Sequence, residues 1–381
     1  MSETVFTNAK VVLDDAVIEG TLAIRDGVIA GVESGASGLP SAIDMDGNYI
    51  LPGLVDIHTD HLEKHVLPRA HVRWDVTRAI LAHDAQIIGA GITTVFDSLC
   101  VGGTEKNPER RELFQPMVDG IEAARRAATM RADHLVHLRC EITDPIAPEQ
   151  ASANVRKDFV KLVSVMEHIP GKRQSRDMTN YIARRMAASG KSQSQVEEEV
   201  TELLDRLEAE AINVRTEIVA LAHANGLPLL SHDDATVDHV RQAHDEGARI
   251  AEFPVSLEAA REARALSMHA VAGAPNYLRG GSQSGNIAVR DLLVHRLVDI
   301  LASDYVPRSM LDAVFAIADD ETLGISLPEG VRMATSAPAR AAKLDDRGEI
   351  LPGLRADIIA VRLSGTTPVL RQAWRAGERV A

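Results

Sequence analysis

The stretch LVDIHTDHLEKH, residues 54–65, starts as an apolar strand and ends with three histidines and three acids among its residues. Unpaired buried charge is strongly unfavourable, so a cluster of this kind needs partners, and metal ions are the usual ones. The pattern recurs. Side chains alternate faces along a strand, so His58 and Asp60 share a side. In LVHLRCEI, residues 135–142, Val136, Leu138, Cys140 and Ile142 take one face and His137, Arg139 and Glu141 the other. KLVSVMEH ends in His168, LPLLSHDD carries His232 with Asp233 and Asp234, and VDILASDY carries Asp304.

Imidazole and carboxylate ligands without a thiolate set suit Zn, Mn or Fe. The expectation is two divalent ions, zinc foremost: one on His58, Asp60 and Asp304, another on His168 and His232, with Glu141 bridging. Two ions about 3.5–4 Å apart lower the pKa of a shared water and clamp both attacking and leaving oxygens. Asp304 would orient that water and accept its proton, which makes it and Glu141 the expected catalytic residues.

Such a set requires elements that bring distant residues to one mouth. GLVDIH, GITTVFDS, LVHLRCEI, KLVSVMEH, LPLLSHDD, ARIAEFP, HAVAGAPN and VDILASDY read as eight buried strands separated by helical stretches. That is the grammar of a (β/α)8 TIM barrel, an α/β fold whose sites assemble at the C-terminal strand ends. Residues 1–51 hold short β runs with D-G and G-x turn signals, and 345–381 turn β-like again, so both termini are expected to pair into one small β domain beside a barrel over 52–344. A polar helix pair is expected as an insertion at 171–226.

Cationic loops point to an anionic ligand. APNYLRGGSQSGN supplies Arg279, the backbone of Gly280 and Gly281, and the hydroxyls of Ser282 and Ser284 as an anion nest. Lys64 and Arg69 follow the first strand, Lys172 and Arg173 the fourth, and Arg139 joins them from the lumen. No P-loop and no GxGxxG occurs. His83 with Asp84 reads as structural, His239 and His244 as parts of a solvated helix, and Lys161 lies at the wrong end of its strand to bridge metals.

A formal charge of −14 over 381 residues excludes an extended nucleic-acid surface, although bound metal can hold a small polyphosphate against that field. Cys100 and Cys140 stand outside any paired motif and read as reduced thiols. With no signal-peptide pattern and no long apolar run, a cytoplasmic protein without a membrane partner is expected. A homo-oligomer stays open.

LPGLVDIHTD near the start and GEILPGLRADIIAV near the end resemble the two signature regions of the amidohydrolase superfamily, metal-dependent barrels with a small β-sandwich built from both termini. The first motif reads HxD here where HxH is usual, which argues against ordinary amide or deaminase chemistry. HTDHLEKHVLPR, HLRCE, LVSVMEHIPGKRQ, SHDDAT, AEFPVSLEAA, GAPNYLRGGSQSGN and ILASDYVP together resemble the diphosphatases of phosphonate catabolism, in the carbon–phosphorus lyase pathway. That resemblance implies hydrolysis of a ribose 5-triphosphate bearing methylphosphonate at C1, giving the 5-phosphate and pyrophosphate by attack of a metal-activated hydroxide on phosphorus. Gln283 departs from the histidine expected there and is given no metal or proton role. The rival readings are a cyclic-amide hydrolase or deaminase on the same scaffold, and a non-catalytic scaffold.

Overall fold

The computed structural model describes residues 3–104, 107–173, 178–282 and 285–381. The chain opens with β1 (Glu3–Val12), β2 (Val17–Arg25), β3 (Val28–Ser34), β4 (Ile43–Asp44) and β5 (Tyr49–Pro52). It then builds β6 (Leu54–Thr59), β7 (Ile92–Val101), β8 (Asp133–Glu141), β9 (Val160–Met166), β10 (Leu229–His232), β11 (Ile250–Glu252), β12 (His269–Gly273) and β13 (Ile300–Ala302). β14 (Ile358–Ser364), β15 (Thr367–Arg375) and β16 (Glu378–Arg379) complete it.

β6 to β13 pair in parallel, each with its neighbour in sequence. Helices cover the outside, so these strands are buried on both faces; every residue of β6 and β7 is buried. The barrel closes where β13 meets β6. The Asp304 amide donates to the His58 carbonyl and the Asp60 amide to the Asp304 carbonyl, both at 3.0 Å. Three expected site residues therefore face one another across the closing seam.

The first and last segments of the chain hydrogen-bond into one sheet, in the order β16-β15-β14-β5-β1-β2-β3 with β4 beside β1. Phe6 and Trp374, from opposite ends of the sequence, meet edge to face at 4.8 Å in its core. Asp26 and Gly27 both take positive φ, the tight-turn geometry that joins β2 to β3. Asp46-Gly47 has the same signature yet makes no hairpin, because β4 and β5 both run parallel to β1. Gly53 lets the chain pass from this sheet into the barrel: a Cβ there would stand 2.2 Å from Thr93 Oγ1.

Among the helices are α1 (His61–Val66), α2 (Val76–Gly89), α3 (Arg110–Arg126), α4 (Ala147–Asn154), α5 (Met178–Ser189) and α6 (Gln193–Ala224). The expectation of a solvated helix pair at 171–226 needs correction. Ala211, Val214, Ile218 and Ala222 of α6 recur at helical spacing and sit in the barrel core, so the second half of α6 is the crossover helix between β9 and β10. α5, which has no buried residue, fits the surface reading, and the first part of α6 does so apart from the buried Val196 and Val200.

Asp133, at the start of β8, fastens the terminal sheet to the barrel. It lies 2.8 Å from Arg347, 2.5 Å from Arg355 and 3.4 Å from Arg375. Burial opposes its ionisation, but the Arg355 and Arg347 guanidiniums outweigh burial and hold it below the ordinary carboxylate range. A depressed carboxylate stabilises the fold above its unfolded pKa of about 3.9, and that contribution is lost as pH falls through the folded value. Asp133→Asn should lower the unfolding free energy by about 1–3 kcal/mol at pH 7, with the gap to wild type closing below about pH 4. Urea midpoints measured between pH 3 and 7 would check both expectations, and a gap unchanged by pH would contradict them.

Candidate active site

The barrel mouth holds a cavity of about 400 Å³ whose lining includes His58, Asp60, Lys64, Arg139, His168, His232, Asp233, Ser282 and Asp304. Its floor is organised by a residue that strand reading passed over. Glu252 ends β11 and is buried; one oxygen lies 2.5 Å from His58 Nδ1 and the other 2.6 Å from His232 Nδ1. The two rings lie nearly parallel, 14° apart in plane with centroids 5.9 Å apart. Burial opposes a charge on Glu252, but His58 and His137 together with the hydrogen bonds from His232 and His58 overcome it and keep the carboxyl well below its usual range.

An ionised Glu252 takes the Nδ1 protons, which leaves Nε2 of each ring as the atom able to offer a lone pair. His58 Nε2 and Asp60 Oδ1 are both buried with no hydrogen-bond partner. Orphaned acceptors of this kind need an electropositive occupant, and an imidazole backed by a carboxylate is the usual posture of a metal ligand. The residues present therefore fit a divalent ion.

Backbone strain at the strand ends aims these groups. Asp233, Phe253 and Asp304 have φ of 54°, 54° and 53°, a region that disfavours branched or bulky side chains by about 1–2 kcal/mol. Phe253 uses that turn to set its ring edge-on against His58 and His232, at 4.8 and 5.7 Å. Asp304 is partly buried, and burial raises its pKa against the pull of His58.

His168 is held from behind in the same manner. Its Nδ1 meets the buried Glu141 carboxylate, which also accepts from Thr143 Oγ1 at 2.6 Å. Glu141 is not among the cavity-lining residues and stands against Nδ1 of one expected ligand, whereas the carboxylate that joins two imidazoles is Glu252. Glu252 is the acid at the end of the sixth expected strand, ARIAEFP. The strand-end rule that singled out Asp304 would have found it.

The expected cations divide into two groups. Arg139 is 8% exposed, with Nη1 3.9 Å from Asp60 Oδ2 and an Nε that is buried without a partner. Lys64 donates from Nζ to the Tyr305 carbonyl at 3.1 Å and lies over the Tyr305 ring. Arg279 bonds the Tyr305 hydroxyl at 3.1 Å, which places it beside the cavity. These three can meet an anion.

Arg173 is differently employed: its guanidinium is buried between Glu167, at 2.7 Å, and Asp234, at 2.6 Å, and donates to the His232 carbonyl. That arrangement ties the guanidinium to the β10 end. Lys172 pairs with Glu208 at 3.0 Å, and Lys172, Arg69, Gly280 and Gly281 do not line the cavity. Gly280 does take positive φ, at 76°. Gln283 and Ser284 lie outside the described residues.

The amidohydrolase family model matches residues 49–379. Over 376 residues, covering 99% of this chain and 100% of the relative, the sequence is 38% identical to the alpha-D-ribose 1-methylphosphonate 5-triphosphate diphosphatase of Escherichia coli (strain K12). It is 25% identical over 395 residues to adenine deaminase 2 of Desulfotalea psychrophila (strain LSv54 / DSM 12343), covering 100% of this chain and 58% of that one. Among solved structures, 5-methylcytosine deaminase from Klebsiella pneumoniae superposes with a TM-score of 0.65 at 14% identity, over 100% of this chain and 97% of that one. The N-acetyl-D-glucosamine-6-phosphate deacetylase from Mycobacterium smegmatis does so at 0.60 and 18%, over 99% and 100%. These two share the fold.

If Arg173 is a structural strut, its removal leaves the buried Asp234 uncompensated and weakens the pairing of the partly buried Glu167. Arg173→Met should lower the unfolding free energy by about 3–5 kcal/mol in chemical denaturation. A loss below about 1 kcal/mol, the range of an exposed pair, would overturn that reading.

Proposed function

The chain belongs to the amidohydrolase family, and from that premise we propose that it is a metal-dependent diphosphatase acting on α-D-ribose 1-methylphosphonate 5-triphosphate, releasing the 5-phosphate and pyrophosphate. The observation that supports this reading is one cavity combining unsatisfied histidine and aspartate acceptors with a buried arginine, in a chain similar end to end to an enzyme of that name. A cyclic-amide or deaminase substrate carries no polyphosphate charge for Arg139 and Lys64 to meet.

His58, Asp60, His168, His232 and Asp304 would hold the divalent ions, of which we propose two, zinc before manganese or iron. Glu252 and Glu141 orient the imidazoles from behind. When bound, such ions lower the pKa of water and neutralise phosphoryl charge. The chain's own residues do the rest. Asp304 accepts the proton of the attacking water, and partial burial favours this by raising its affinity for a proton.

Arg139 and Lys64 bind the triphosphate and align it, with Arg279 beside Tyr305 extending the cationic rim. The anhydride between the first and second phosphoryl groups breaks, and the charge that develops on pyrophosphate falls to the same two cations.

Glu252→Gln removes the charge and turns one of the two acceptors into an N–H donor, so it can fix one imidazole tautomer but not both, and should weaken divalent-ion retention by about 10–100-fold, as read by equilibrium dialysis with elemental analysis. For the reaction itself, zinc-loaded protein would be incubated with the ribose triphosphate phosphonate and a panel of nucleoside triphosphates, with products followed by phosphorus NMR. Pyrophosphate should form from the phosphonate substrate, and about 10²–10⁴-fold more slowly with Asp304→Asn. No pyrophosphate from any triphosphate would remove the assignment.

A further inference from the structure

A second set of histidines lies on the helix side of the barrel wall, and the chemistry above makes no use of it. His61 and His65 are separated by one helical turn of α1 and share a face, while His83 projects from the middle of α2. Possible ligand atoms of the three lie within 4.8 Å of one another, and His61 Nδ1 and His83 Nδ1 are 3.3 Å apart.

What stands behind His83 decides what its other nitrogen can do. The ring is buried, and its Nε2 meets Asp97 Oδ1 at 2.8 Å. The second Asp97 oxygen meets His134 Nδ1, also at 2.8 Å. Asp97 and His134 lie on β7 and β8 and face the helices, as do Leu99 and Val136 on the same strand faces. With Nε2–H donating to Asp97, Nδ1 of His83 carries the lone pair, directed towards the two rings of α1.

Hydrogen bonding does not account for the cluster. His61 can donate to His83, but His65 Nε2 is buried with no partner at all. Three imidazoles, one backed by a carboxylate and one with an orphaned nitrogen, have the chemistry of a ligand set.

We propose that His61, His65 and His83 form a separate site for one divalent ion of the zinc class, with the fourth position left to water. Imidazole nitrogens suit zinc and its late first-row neighbours. Tetrahedral zinc with bonds of about 2.0–2.1 Å holds its nitrogens about 3.4 Å apart, close to the spacing of the His61 and His83 pair.

The site has a structural consequence for the cavity. α1 has six residues, too few to be stable as an isolated helix, and its two sides face different neighbours. Asp60, its N-cap, and Lys64 face the cavity, whereas His61 and His65 face α2. An ion on the second side ties α1 to α2 and thereby holds Asp60 and Lys64 at the mouth.

The test uses full-length protein stripped with a chelator, dialysed against zinc and counted for metal per chain. The His61→Asn/His65→Gln double variant should hold one zinc fewer than wild type, and His232→Asn should keep that ion, so failure of the cavity reading leaves this count intact. Equal zinc in wild type and double variant would overturn the site. Because the variant can misfold, the native chain provides a second readout. His61 and His65 are partly exposed, so diethyl pyrocarbonate should modify both in stripped protein and neither after zinc is added, as mapped by peptide mass spectrometry. Modification unchanged by zinc would equally overturn it.

Discussion

The site depends on a single buried carboxylate that has to stay charged. Glu252 sits at the end of β11 and accepts from imidazoles on β6 and β10, of which β6 is the first strand of the barrel and β10 the fifth. In a closed barrel of eight strands those two stand on opposite sides. The unfavourable burial of Glu252 is offset only if both Nδ1 protons reach it, so barrel closure and imidazole orientation become one condition. Each ring is then left with Nε2 turned away from the carboxylate, and at His58 that nitrogen has no protein partner.

The remaining groups are positioned by the seam and by strain. The β13 to β6 junction is made by backbone bonds from His58, Asp60 and Asp304 themselves, so these side chains cannot drift apart without opening the barrel. Left-handed φ at Asp233, Phe253 and Asp304 re-aims the chain just beyond three strands. A regular strand end would carry each side chain on along the pleat, away from its neighbours. That cost is tolerated because the surrounding ladders over-determine the conformation.

Charge is partitioned within a chain that is strongly acidic overall. Arg173 and Lys172 are neutralised by nearby acids, whereas Arg139 reaches the cavity with a buried unpartnered Nε. A guanidinium held dry beside Asp60 is costly unless a further partner completes it. Outside the cavity the same economy of paired charges operates: Asp133 gathers three arginines where the terminal sheet meets the barrel.

Sequence alone determined the barrel, its eight strands and the terminal sheet, because burial on both faces leaves continuous apolar runs and turns leave Gly and Asp signals, and both are local properties. It also determined that His58, Asp60, His168, His232 and Asp304 lie at strand ends, since the polar residue following an apolar run is visible without knowing its neighbours. Only the tertiary structure decided what those residues touch. Glu252 holds an imidazole 194 positions away, Glu141 stands behind His168, Arg173 is buried in ion pairs, and α6 is half core and half surface. His83, read as structural, turns Nδ1 to His61 and His65. Apart from the helical spacing of Ala211, Val214, Ile218 and Ala222, each of these outcomes follows from which side chains share a dry volume after the chain closes on itself, and residue type and spacing carry no record of that.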